Sequence, residues 1–298
     1  MNSKPTQLDE LIHAERLPDS IHDTIEDIYR PIADVLSCLH SHNDGEPLVV
    51  GINGCQGSGK TTMTLFLQSL LATNAGLFSI TLSLDDFYLG HQERQQLGDA
   101  VHHLLRTRGV PGTHDIDGLR KTISTLRKAE QNDATIYPRF DKSTDDRMPR
   151  ENWNVVRGRP DIIFFEGWCV AAKPQEEAKL QLPRNEWEAT HDPAGIWRTY
   201  VNEQLQSDYA NLFSQIDSLI ALYPPSFDVV FDWRREQEEK LRQKQGNASA
   251  GMSDEELREF ISHYERLTVH MLSYLPAEAV VAVALNRDRS FGDMRIRP

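Results

Sequence analysis

PLVVGINGCQGSGKTT, residues 47–62, opens with an uninterrupted apolar run and ends in glycines, a lysine and two threonines. The run predicts a buried strand over 47–53. Gly54-Cys55-Gln56-Gly57-Ser58-Gly59-Lys60-Thr61 fits the spacing G-x-x-x-x-G-K-[ST] in full. A helical pattern follows over 60–74, with Gly76 just past its end. Strand, glycine loop and helix in that order form a phosphate-binding loop. Glycines let successive N–H groups point inward at phosphate oxygens, and the helix adds the positive end of its dipole. On this reading Gly54 through Thr62 hold a nucleotide's phosphates. Lys60 brings a mobile cation to the β- and γ-phosphates, and the Thr61 hydroxyl is a hard oxygen ligand for Mg²⁺.

Outward from this loop, apolar strands alternate with helices. Further strands are expected at 78–84, 161–167, 218–224 and 279–285, and helices at 91–107, 115–131 and 226–244. Ser253-x-x-Glu256 is a capping box that opens another helix. GNASAG, 246–251, reads as a short linker, and the polar stretch 138–160 as a long loop. Alternation of this kind implies an α/β fold with a mainly parallel sheet and helices on both faces, here of the P-loop NTPase type. Residues 1–45 are expected to be a helical extension packed on the P-loop domain over 46–298. Within the extension, 20–42 carries apolar residues at helical spacing and is interrupted by Pro31.

The chain has 298 residues, 39% hydrophobic and 26% charged, with a net charge of −13. An acidic chain disfavours nucleic acid and anionic lipid as partners. Cys38, Cys55 and Cys169 are scattered and odd in number, which argues for a reducing compartment over a disulfide framework. Cys55 reads as a possible reactive thiol, Cys38 and Cys169 as small core residues. Residues 1–20 contain no apolar signal-like core, and no run reaches the roughly 18 apolar residues of a membrane span. The expectation is a cytoplasmic protein with a small-molecule substrate.

Two further strand ends are acidic. Ser83-Leu84-Asp85-Asp86-Phe87-Tyr88 closes one strand, and Phe164-Phe165-Glu166-Gly167-Trp168 another. In open α/β sheets ligands bind outside the carboxyl ends of the strands. Phosphorylation of a hydroxyl needs Mg²⁺, cations on the phosphates and a carboxylate to accept or orient the hydroxyl proton. If the strand continues, Asp85 lies on the polar face with Thr81 and Ser83, and Asp86 on the buried face. Asp85 is therefore the candidate for the chemistry and Asp86 for a cap or ion pair, though either could be a turn acid. Glu166 ends a buried strand, where a charge is unfavourable unless it meets metal, cation or water. Thr61, Glu166 and Asp85 are the candidate metal ligands. No Asn-Lys-x-Asp guanine signature is present, and Asp115-Ile116-Asp117-Gly118 opens a helix, so its D-x-x-G spelling is read as coincidence.

GCQGSGKT, SLDDFY and FFEGW together resemble the P-loop kinase group that contains uridine kinase, phosphoribulokinase and pantothenate kinase. LRTRGVPGTHD (105–115), YPRFDKSTDDR (137–147) and IIFFEGW (162–168) resemble, more narrowly, plant-type D-glycerate 3-kinase and its fungal and bacterial relatives. The similarity runs from about residue 48 to 290. It implies ATP and Mg²⁺ as cofactors, and phosphorylation of a small hydroxy acid, D-glycerate first. It implies Asp85 as catalytic carboxylate and Glu166 as a metal or water-bridging ligand. Arg108, His114, Asp115, Tyr137, Arg139 and Lys142 would line the acceptor site, with Tyr88 within reach. One of Arg234 and Arg235 would be a lid arginine over the transferring phosphate; the plain alternative is a solvated helix face. Competing expectations are a kinase of uridine, pantothenate or ribulose 5-phosphate, and a regulatory ATP-binding protein without acceptor.

Overall fold

A computed structural model describes residues 7–18, 20–245 and 252–297 of the chain; the 246–251 linker lies outside them. The strands are β1 (Leu48–Gly54), β2 (Ser79–Ser83), β3 (Ala134–Tyr137), β4 (Phe140–Asp141), β5 (Asp146–Arg147), β6 (Asn154–Arg157), β7 (Ile162–Gly167), β8 (Ser218–Tyr223), β9 (Val281–Leu285) and β10 (Phe291–Ile296). Six of them form one sheet in the order β10-β9-β8-β1-β7-β2. All neighbours in it are parallel except the β9–β10 pair, whose edge strand has no counterpart in the apolar-run reading. Every residue of β1 and β7 is buried, as continuous apolar runs in a doubly covered parallel sheet should be.

The two faces carry separate cores. Val49, Ile163, Phe165 and Ala221 turn to one, beside the helices Ile116–Lys128, Ile196–Gln206 and Asp254–Leu272. Val50, Ile52, Phe164 and Ile220 turn to the other, against the helix Lys60–Ala75. The N-terminal segment joins this second core through Ile25, Tyr29, Ile32 and Leu36, and Tyr29 stacks on Phe66 at 5.5 Å.

The expected helix 20–42 is a chain of Ile21–Thr24, a π-helical turn Ile25–Tyr29 and Arg30–Ser41. Pro31 has no N–H and its ring would strike the carbonyl four residues back, so the wider turn before it absorbs the proline. The expected helix 91–107 stops at Ala100, and a 3₁₀ turn His103–Arg106 follows. The expected 138–160 loop is instead ordered. β3 pairs antiparallel with β6, and β4 with β5 between them. Its strands run two to four residues, too short for an alternation signal to show through the charges. Helices at Glu186–His191 and Asp208–Phe213 flank Ile196–Gln206 in a segment where no element was foreseen.

Register places the strand ends side by side. Glu166 is opposite Ile52 on one side and Ser83 on the other. The phosphate loop, the acidic turn after β2 and Glu166 therefore open at the same edge of the sheet. Asn53 secures this edge by donating to the Val170 carbonyl at 2.7 Å and the Trp168 carbonyl at 3.2 Å.

Candidate active site

The phosphate loop has a left-handed backbone at Gly57 and Gly59, with φ of 80° and 84°. At Gly57 space as well as conformation demands glycine, since a Cβ there would lie 3.0 Å from that of the buried Trp233. Lys60 Nζ donates to the carbonyls of Gly54 and Cys55, at 2.7 and 3.2 Å. Cys55 is buried, and burial pushes its thiol up to about 12. That makes it inert at neutral pH, contrary to its reading as a reactive thiol. Cys169 is buried as expected, whereas Cys38 is exposed and no core residue.

β2 ends at Ser83, and Leu84–Phe87 is a 3₁₀ turn. The alternation used to separate the two aspartates thus stops before it reaches them, but the turn still sends them apart. Asp85 reaches the cavity floor, where its Oδ2 accepts from Lys142 Nζ at 2.6 Å. Burial works to raise the Asp85 pKa, but the charge and hydrogen bond of Lys142, with His114 and Lys60, outweigh it and hold it below the usual value. Asp86 accepts from Phe140 N at 3.2 Å and Asn154 Nδ2 at 3.3 Å, which ties β4 and β6 to this turn. Burial moves its pKa the other way, upward.

These groups face one cavity of about 380 Å³. Lys60, Arg108, Lys142 and Arg234 contribute cations to its wall, and Asp85 and Glu166 carboxylates. An acidic protein has here collected a local positive excess, which suits a polyanion. Glu166 is 8% exposed, and its carboxylate has no hydrogen bond or ion pair among the described residues. The Thr61 hydroxyl lines the same cavity, which makes a pair of hard oxygen donors; Asp85, expected as a third, is paired with Lys142. The donor pair fits Mg²⁺, which completes its octahedron with waters and phosphate oxygens.

Of the two lid candidates, Arg234 lines the cavity, pairs with Glu238 and lies 5.9 Å from the centre of the Phe260 ring. Arg235 pairs with Asp232 and is half exposed. Both belong to the helix Asp228–Gln245. Tyr88 is on the wall, stacked on His114 with ring centroids 4.3 Å apart. Arg108 pairs with Asp145 at the tip of the β4–β5 hairpin.

Four residues expected at the acceptor site lie off the cavity wall. His114 is buried behind Tyr88 and shares a 2.5 Å hydrogen bond with Tyr209 Oη. Burial drives its pKa down to about 3, so it is neutral. Asp115 caps Ile116–Lys128 by accepting from Gly118 N, which accounts for the D-x-x-G spelling. Tyr137 stacks on Phe87 at 6.0 Å, and the Arg139 side chain is exposed. Conversely, Trp168, Gln237, Phe260 and Tyr264 line the cavity and were not foreseen as site residues. Phe260 and Tyr264 sit on a helix whose amphipathic pattern announces only a buried face, so no sequence signal separates them from core.

A mainly parallel sheet with this loop at an inner strand, an acidic second strand end and an arginine-bearing helix beside the cavity defines a P-loop kinase, a phosphotransferase with an alcohol group as acceptor. No protein-family model matches the chain. It is 34% identical over 230 residues to the uncharacterized kinase mug58 of Schizosaccharomyces pombe, covering 74% of this chain and 79% of that one. It is 34% identical over 229 residues to the chloroplastic D-glycerate 3-kinase of Arabidopsis thaliana, covering 74% of this chain but only 47% of the plant enzyme. The solved D-glycerate 3-kinase of Cryptococcus neoformans superposes with a TM-score of 0.73 at 25% identity, covering 90% of this chain and 97% of that one. The chain belongs to the P-loop kinase family that includes these D-glycerate 3-kinases and fungal kinases. No helix among its described residues is long and apolar enough to cross a membrane.

Proposed function

We propose that this kinase transfers the terminal phosphoryl group of ATP, as its Mg²⁺ complex, to a hydroxyl of a small hydroxy acid, D-glycerate first. The observation that carries the reading is Asp85, held ionised by Lys142 on the floor of the cavity that Lys60, Thr61 and Glu166 also line. The names of the relatives supply the acceptor. Size supports it: about 380 Å³ is at the low end of the ~300–1,000 Å³ of ligand pockets. That space must take a polyphosphate tail as well as the acceptor, which favours a three-carbon acid over a nucleoside.

Asp85 takes the proton of the acceptor hydroxyl as its oxygen bonds to the γ-phosphorus. The bond from that phosphorus to the β–γ bridging oxygen breaks, and ADP leaves with the electron pair. Lys60 leaves the loop carbonyls to neutralise the charge that collects on the bridging oxygen. Thr61 and Glu166 would hold Mg²⁺, which would supply Lewis-acid withdrawal of charge from the phosphate oxygens. Arg234 covers the phosphate, and Phe260 and Trp168 keep water from competing as acceptor. Arg108 and Lys142 attract the acid's carboxylate. The free cysteines, two of them buried, suit action in the cytoplasm.

ADP release coupled to a chromogenic reaction, measured with ATP and Mg²⁺ over D-glycerate, pantothenate, uridine and ribulose 5-phosphate, tests this. Turnover should depend on D-glycerate. A rate with D-glycerate no higher than with ATP alone would sink the proposal.

A further inference from the structure

The helix Asp254–Leu272 brings a phenol to the cavity that Asp85 and Arg108 also line. Tyr264 is 4% exposed and lies on the cavity wall. Its ring is held edge-on by Trp168, with centroids 4.7 Å apart at 84°, and at a tilt by Phe260, with centroids 5.1 Å apart. On its remaining side is Gly109, whose φ is 145° and whose carbonyl accepts from Trp168 Nε1 at 2.8 Å. A Cβ at Gly109 would lie 2.4 Å from Tyr264 Oη and 2.9 Å from its Cζ. The glycine after Arg108 is thus what lets the hydroxyl occupy this point.

That hydroxyl has no hydrogen-bond partner among the described residues. A tyrosine whose ring is this buried ordinarily finds a partner for its hydroxyl, and here the cavity it lines is where a ligand or water can supply one. Three aromatic and backbone walls fix the ring, so the hydroxyl cannot turn away to find a partner elsewhere. Burial, with Asp85 adding to it, pushes the phenol well above its usual pKa. Tyr264 is therefore a neutral donor at any working pH.

We propose that Tyr264 is an acceptor-binding residue whose hydroxyl donates to the carboxylate of the acid, beside Arg108. This deepens the hydroxy-acid reading above and rests on it. The acid is then held at both ends, with its hydroxyl on Asp85 and its carboxylate on Arg108 and Tyr264. A site built on a neutral donor as well as a guanidinium rejects alcohols that lack the carboxylate, because the phenol would stay unpaired.

Tyr264→Phe removes the hydroxyl alone and keeps the ring against Trp168. A thermal unfolding midpoint close to wild type establishes that the fold is kept. With the full chain, ATP and Mg²⁺, the KM for D-glycerate should rise about 10- to 100-fold, the loss of one hydrogen bond to a charged group. The KM for ATP should stay within about twofold. An unchanged D-glycerate KM, or an equal rise in both KM values, overturns the assignment of Tyr264 while leaving the substrate reading intact. A wild-type enzyme without D-glycerate turnover overturns both.

Discussion

Asp85 and Asp86 are neighbours in the chain with different surroundings. One meets Lys142 in the cavity; the other meets a backbone donor of β4 and an amide donor of β6. Asp85→Asn keeps the shape and removes the base. We expect kcat to fall by about 10²- to 10⁴-fold, the usual yield of a positioned base. Nucleotide affinity, followed by fluorescence titration, should change little, and near-normal turnover would remove Asp85 from the mechanism. The pH profile tests its partner. Asp85 must be ionised to act, and its depressed pKa puts the acidic limb of kcat below the usual carboxylate range. Lys142→Ala deletes the largest lowering influence and leaves burial, which raises the pKa. The acidic limb should then move to higher pH; a limb that stays in place would show that Lys142 does not tune Asp85.

The acceptor-side cations belong to an element built around a buried arginine. Arg94 is fully buried, and donates to the carbonyls of Leu89 and Arg106 and to both the carbonyl and Oδ2 of Asp145. Arg108 pairs with the same aspartate, and both guanidinium groups lie over the Phe140 ring, at 5.8 and 5.6 Å. Asp145 occupies a left-handed turn position, φ 55°, which aspartate tolerates better than most residues. One carboxylate thus ties the hairpin carrying Lys142 to the segment carrying Arg108. Asp145→Ala leaves Arg94 with backbone acceptors only, and should lower stability by about 1–3 kcal/mol in urea unfolding. The KM for the acceptor should rise more than the KM for the nucleotide, because the hairpin loses its tether while the phosphate loop does not. Equal changes in both would show that the clamp serves the whole fold and not the hairpin.

At the scale of the molecule, the core that Val49 and Phe165 face shelters two histidines that cannot accept a proton in place, His114 against Tyr209 and His263 against Trp187. Burial pushes His114 down to about 3 and His263 down to about 4, from an ordinary value of 6.5. Between those limits the unfolded chain binds protons that the folded chain refuses, so stability is lost as pH falls below about 6.5. The depressed carboxylates, Asp85 among them, act in the same direction only at lower pH. The urea midpoint should therefore be lower at pH 5.5 than at pH 7. A midpoint unchanged over that interval would mean that the two rings find a charged state the packing does not show.

The sequence by itself determined the loop, its flanking strand and helix, and the order of the parallel strands' apolar runs. These are local: glycine spacing, continuous burial and a capping box each leave a mark within a dozen residues. It also pointed to Asp85 and Glu166, because a charge at the end of an apolar run stands out. Tertiary structure alone decided the rest. Strand order inserts β7 between β1 and β2, and that pairing, invisible to periodicity, puts Glu166 level with Ser83. The ribbon hidden in 134–157 exists because Asp86 and Arg94, distant in sequence, satisfy its backbone and its turn. Arg234 is separated from Arg235, and Tyr264 from ordinary core, only by which side of a helix meets the cavity. A helical pattern records that one face is buried, but not whether it is buried against protein or around a space left for substrate.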